Sequence, residues 1–178
     1  MVFAKVEMAI EVAVKWHRGQ ERDGEHPLPY VTHPFDVLGN LRLIGGVVDE
    51  DLLCVAVLHD LLEETESEPS EIEAAFGPRV SGLVRELTRK EPSEAETEGK
   101  SRSEIWQMRS NMLLAEVAKM SPEAQSIKLA DRLSNIREAK RTKSKPKLER
   151  YLGQTKELLR IIPKKVNPAL WTAVEEEL

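Results

Sequence analysis

The segment DEDLLCVAVLHDLLEE, residues 49 to 64, limits the fold of this chain more than any other stretch. Its predicted helix is apolar on nearly every side, through Leu52, Leu53, Val55, Ala56, Val57, Leu58, Leu61 and Leu62. A helix of that kind is stable only at the centre of a bundle, because no face of it can be left to water. The rest of the chain supplies the surrounding helices. Val2, Val6, Ala9, Ile10, Ala13 and Val14 recur at three- and four-residue steps, which predicts a helix over about 3–17.

Residues 18–31, with Gly19, Gly24, Pro27 and Pro29, read as a loop. Thr32 and Pro34 open a second helix that runs to about Ile44, before Gly45-Gly46. After the central helix, Ser70 and Glu73 fit a capping box for a short helix ending near Phe76-Gly77, and Pro78 opens another to about Leu87. Residues 91–103, EPSEAETEGKSRS, carry no apolar anchor and are expected to form a mobile loop. Helices are predicted over Glu104 to Met120, from Pro122 (capped by Ser121) to about Arg141, over about 148–162, and after Asn167-Pro168. No alternating run is long enough for a strand, and no linker separates two cores. The expected fold is all-α: one domain over 1–178, a bundle of about eight to nine helices without substantial sheet.

Composition removes several functions. The formal charge of −5 argues against a nucleic-acid binder, though a local cationic cluster would still serve a small anionic substrate. No apolar run approaches the roughly 18 residues of a membrane span. The N-terminus has acidic residues and no cleavage-site pattern, and the single Cys54 precludes an internal disulfide, so a cytoplasmic protein is expected. The oligomeric state stays open, a homodimer included.

Chemistry concentrates in a few short segments. In His59-Asp60-Leu61-Leu62-Glu63-Glu64, Glu63 follows His59 by four residues and Glu64 follows Asp60 by four. On a continuous helix these pairs form two adjacent stripes, aiming a histidine and three carboxylates at one volume. Acids so close need a positive charge between them, and a divalent ion supplies it. For an isolated His-Asp pair the plainer reading is a neutral core histidine beside a solvated helix end. Two further segments count against that here. Tyr30-Val31-Thr32-His33-Pro34 places a histidine at a helix start, and Asp131 sits mid-helix among apolar neighbours. Lys128 and Asn135 share its face, so Asp131 taken alone reads as a salt bridge to Lys128. Two imidazoles and two carboxylates together suit Mn, Fe(II) or a related divalent metal with positions left for water.

The ordered set His33, His59-Asp60, Asp131 resembles the HD superfamily of metal phosphohydrolases. More narrowly, five stretches resemble the hydrolase domain of the RelA/SpoT homologue family and its small alarmone hydrolases. They are HRGQ (17–20), PYVTHP (29–34), LHDLLEET (58–65), Phe76-Gly77 and KLADRLSNIR (128–137). That resemblance implies an all-helical HD-type fold and one Mn ion held by His33, His59, Asp60 and Asp131. It further implies removal of the 3′-pyrophosphate from guanosine tetra- or pentaphosphate, with Glu63 and Glu64 positioning or deprotonating water. Arg22, Lys90 and Lys128 are candidate substrate cations. Asn135 is placed to touch sugar or base, or to steady Asp131, and Tyr151 to stack on a base.

Two places depart from the family pattern. The acidic pair is usually Glu-Asp and here is Glu63-Glu64. The loop before Tyr30 usually carries Arg-Lys and is shorter; here it reads RDGEHPLPY from Arg22. Both bear on substrate more than on metal. Three readings follow: an alarmone hydrolase, an HD phosphohydrolase for another nucleotide or a dinucleotide cofactor, and a non-catalytic nucleotide-binding module.

Overall fold

A computed structural model describes residues 3–178; Val2 of the first apolar stripe lies outside the described residues. In chain order the helices are α1 (Ala4–Trp16), α2 (Thr32–Gly39), α3 (Glu50–Leu58), α4 (Leu61–Glu64), α5 (Pro69–Phe76) and α6 (Pro78–Leu87). Then follow α7 (Glu94–Thr97), α8 (Arg102–Val117), α9 (Pro122–Thr142), α10 (Lys145–Ile161) and α11 (Pro168–Glu176). Among the described residues there is no strand, only an isolated antiparallel bridge between Glu21 and Pro29. That bridge closes the 18–31 loop, with Tyr30 N–H donating to the Gln20 carbonyl at 2.9 Å.

The core forms around α3 and α9. Leu52 to Leu58 are all buried, and α9 contributes Ile127, Leu129, Ala130, Leu133 and Ile136. Truncating one such leucine to alanine costs about 2–5 kcal/mol. α1 packs on α3 through Val6, Ala9 and Ala13, while α2 lies between α3 and α9. α2 runs on into a π-helical turn over Asn40–Ile44. The turn ends at Gly45, where a Cβ would meet the Leu41 carbonyl oxygen at 2.7 Å and a Leu170 methyl at 2.8 Å.

Three helix beginnings are tied at one point. Asp49 caps α3, accepting from Asp51 and Leu52 N–H at 3.0 and 3.2 Å. Arg79, in the first turn of α6, donates to Asp49 at 2.9 Å and to Glu123, in the first turn of α9, at 2.7 Å. Single exposed pairs contribute under about 1 kcal/mol, but here one planar fork serves several carboxylates at once.

The fold is all-α as expected, with three local differences. The predicted helix over 49–64 divides into α3 and α4. In a continuing helix the Ala56 carbonyl would accept from Asp60 N–H; it accepts instead from His59 Nδ1 at 2.9 Å. The capping box of α5 uses Glu68 and Glu71, not Ser70 and Glu73, with Glu68 N–H donating to Glu71 at 2.9 Å. Segment 91–103 contains the single turn α7, capped by Ser93 with Glu96. α4 and α7 account for the helices beyond the eight or nine expected. No helix among the described residues is long and apolar enough to cross a membrane.

Candidate metal centre and its cleft

His33 stands in the first turn of α2, where its N–H donates to the Tyr30 carbonyl at 2.9 Å. Its ring is 2% exposed, with Nδ1 at 3.1 Å from Ser134 Oγ on α9. Nε2 then lies 3.4 Å from Asp60 Oδ2 and 3.3 Å from Asp131 Oδ1. His59, at the end of α3, is equally buried. Because a carbonyl can only accept, the bond to Ala56 places a proton on Nδ1. With Nδ1 taken up by that bond, Nε2 of His59 is the ring's remaining polar atom, buried and without a hydrogen-bond partner. It faces Asp60 Oδ1 at 3.1 Å and Asp131 Oδ1 at 4.0 Å. In the neutral ring this atom carries a lone pair, and a lone pair set against carboxylates is repulsive unless a cation lies between them.

Asp60 sits between α3 and α4 with φ −94° and ψ −3°, the sparsely populated bridge region. Tyr30 Oη donates to its Oδ2 at 2.7 Å. Burial works to raise the Asp60 carboxyl, but His59 and His33 outweigh it and hold it below the usual range. Asp131 is held well below that range: burial opposes this, and Lys128 is the chief cause of it. The salt bridge read from the sequence is present, with Lys128 Nζ 2.9 Å from Asp131 Oδ2. Asn135 Nδ2 donates to Asp131 Oδ1, the oxygen that also faces the imidazoles. Donor atoms of His33, His59 and Asp60 all lie within 4.8 Å of one another, so these three can hold a metal ion. Asp131 is outside that tightest group, though its Oδ1 borders both imidazoles.

His33, Asp60 and Asp131 line a cleft of about 870 Å³ that also contains Glu63, Glu64, Arg22, Lys128, Asn135 and Tyr151. Glu63 is fixed through Oε1, which accepts from Arg89 N–H at 2.6 Å, and burial pushes its carboxyl up. Gln20 Nε2 donates to the Glu64 carbonyl at 2.5 Å, tying the 18–31 loop to α4. Burial alone would depress the Lys128 ammonium, but Asp131 and Glu63 raise it above its ordinary value. Arg22 is paired with Glu138, Nε donating to Oε1 at 2.8 Å, and lies over the Tyr30 ring at 5.4 Å. Tyr151 lines the cleft beneath Arg132.

Of the predicted substrate-binding residues, Lys90 is the one that the structure does not bring to the cleft. It borders a separate pocket of about 780 Å³ with Ser67, Arg85 and Thr88, while its neighbour Arg89 lines both cavities. Sequence reasoning also passed over Tyr30, Arg89, Trp106, Arg132 and Glu138 as site residues. Tyr30 carried a signal, being three residues before His33; the others depend on which helices pack together.

Residues 9–158 match the family model described as HD domain. The chain belongs to the HD domain family. This HD domain is 36% identical over 135 residues to the guanosine-3′,5′-bis(diphosphate) 3′-pyrophosphohydrolase MESH1 of Drosophila melanogaster, covering 76% of this chain and 69% of that one. The human MESH1 is 32% identical over 133 residues, covering 75% and 68%. A GTP pyrophosphokinase of Streptomyces coelicolor is 34% identical over 160 residues, 86% of this chain but 17% of that protein. Among solved structures, a metazoan orthologue of SpoT that hydrolyses ppGpp superposes with a TM-score of 0.84 at 29% identity, covering 98% of this chain and 93% of that one.

Proposed function

We propose that this chain, as one HD phosphohydrolase domain, hydrolyses the 3′-pyrophosphate of guanosine 3′,5′-bis(diphosphate) and its pentaphosphate counterpart in the cytoplasm. His33, His59, Asp60 and Asp131 would hold one divalent ion: two imidazoles with two carboxylates suit Mn, Fe(II) or a related metal, and the family likeness favours Mn. The observation that carries the reading is the buried, unpartnered Nε2 of His59 facing Asp60 and Asp131, two carboxylates that line a cleft of nucleotide size. The substrate assignment is supported by the relatives, named or described as ppGpp hydrolases, that match this chain over three quarters of its length or more.

A divalent ion at this position lowers the pKa of water and offsets charge on a phosphoryl group. The chain's own groups do the rest. Glu63, anchored by Arg89 N–H and raised in basicity by burial, is placed to take a proton from water. Glu64 borders the same space as a second acceptor. Lys128 steadies Asp131 and presents positive charge where the departing phosphates develop theirs. Tyr30 and Asn135 orient Asp60 and Asp131 from behind.

The test is pyrophosphate release from guanosine tetraphosphate by protein loaded with Mn, abolished in Asp60→Ala. Turnover restricted to other phosphoesters would move the assignment to another nucleotide. A bound ion without turnover of any nucleotide would leave a binding module.

A further inference from the structure

The cleft is electrically polarised. Its metal end carries Asp60, Glu63, Glu64 and Asp131, whereas α8 and α10 contribute Trp106, Arg109, Lys147 and Arg150 and no acidic residue. Between the two ends lies Arg132, next to Asp131 on α9. It is 3% exposed and lines the cleft. Its guanidinium has only neutral partners: Nη1 donates to Gln154 Oε1 at 3.0 Å, and the Tyr151 ring centre is 4.6 Å away. Gln154 is fixed in turn by donating to Ser110 Oγ at 2.9 Å. No carboxylate pairs with Arg132 among the described residues. A buried charge without a counter-charge is costly, and a guanidinium cannot escape the cost by losing its proton. Since Arg132 opens onto the cleft, the missing counter-charge has to come from what enters it.

We propose that Arg132 anchors a second phosphorylated arm of the substrate, the 5′-diphosphate, while the scissile 3′ arm lies at the metal end. The proposal rests on the nucleotide pyrophosphohydrolase reading above. Arg132 serves the far arm because its partners, Gln154 and Tyr151, belong to the α10 wall. Lys128 already supplies the cation beside Asp131 and Glu63. The planar fork of Arg132 fits two phosphate oxygens at once. Farther along the same wall stand Lys147 and Arg150, neither in an ion pair among the described residues. Arg150 is stacked 5.3 Å over the half-buried Trp106, so the second phosphate of the arm also finds cations.

Guanosine diphosphate is the probe, since it carries the 5′ arm and no 3′-pyrophosphate. It is titrated calorimetrically into metal-loaded wild type, Arg132→Gln and Arg132→Lys, with melting of each protein recorded without nucleotide. The wild type binds; Arg132→Gln binds on the order of tenfold or more weakly. Arg132→Lys, keeping the charge without the fork, falls between. Without nucleotide, Arg132→Gln melts no lower than wild type, because an uncompensated buried charge has gone. No binding of guanosine diphosphate by the wild type, or equal binding by wild type and Arg132→Gln, overturns the assignment. So does a ligand-free Arg132→Gln protein that melts well below wild type, which would make the residue structural. Pyrophosphate release from guanosine tetraphosphate is scored separately. Binding through Arg132 without that turnover upholds the anchor and removes the alarmone reading; turnover with binding indifferent to Arg132 does the reverse.

Discussion

The Tyr30 hydroxyl donates at 2.7 Å to the same Asp60 oxygen, Oδ2, that lies 3.4 Å from His33 Nε2. Burial raises the phenol far above its ordinary value, so it is always a donor here. Tyr30→Phe removes that donor and keeps the ring against His17 and Arg22. Affinity for Mn should fall about tenfold or more, as for other groups behind a metal ligand. An unchanged dissociation constant in a metal titration would show that Tyr30 does not orient Asp60.

Glu138 holds Arg22 in a two-point pair, away from free engagement with an anion. Replacing it with Gln keeps the shape and frees the charge. KM for the nucleotide should drop roughly threefold to tenfold with kcat little changed, the equivalent of about one kcal/mol. Steady-state kinetics decide the matter, and a KM that stays level or rises would place Arg22 outside the substrate path.

Activity should fail in mild acid sooner than an ordinary glutamate would dictate. Glu63 must be a carboxylate to accept a proton, and burial raises its pKa. As pH falls, the group therefore protonates earlier, and the acid limb of kcat moves upward. A pH profile with its acid limb in the normal glutamate range would exclude Glu63 as the base.

Removal of the ion should lower stability as well as activity. An ion bound at 100 times its dissociation constant stabilises by about 2.7 kcal/mol. For a chain of this size that corresponds to roughly 5–10 °C in Tm. Chelation should lower Tm by that order, Mn should restore it, and Asp60→Ala should melt at one temperature with or without Mn. A Tm indifferent to chelator in the wild type would contradict ion binding at the His33–Asp60 cluster.

Much of this was legible in the sequence because helical periodicity and the order of the segments carry it. The all-round apolar run after Asp49 placed α3 at the centre, and His33, His59, Asp60 and Asp131 converge from three separate segments. What escaped depends on competition or on packing. At the break between α3 and α4 the His59 ring bonds to the Ala56 carbonyl, a side-chain to backbone contact that periodicity does not register. Lys90 and Arg89 differ by one position, and only the path of the chain after α6 decides which faces the cleft. Arg132 reads in sequence as an ordinary helix cation. Its isolation appears only when α10 supplies Gln154 and Tyr151 in place of an acid.

The Arg79 tie gives the scaffold a ruler. α3 places nine residues before His59, and α9 places nine, Pro122 to Ala130, before Asp131. At 1.5 Å per residue both helices advance about 14 Å from the shared guanidinium to the metal centre. Inserting one residue into either stretch would swing its ligand by about 100° around the helix and leave the other in place. Insertions and deletions should therefore be tolerated in the loops of this chain and selected against in these two equal lengths.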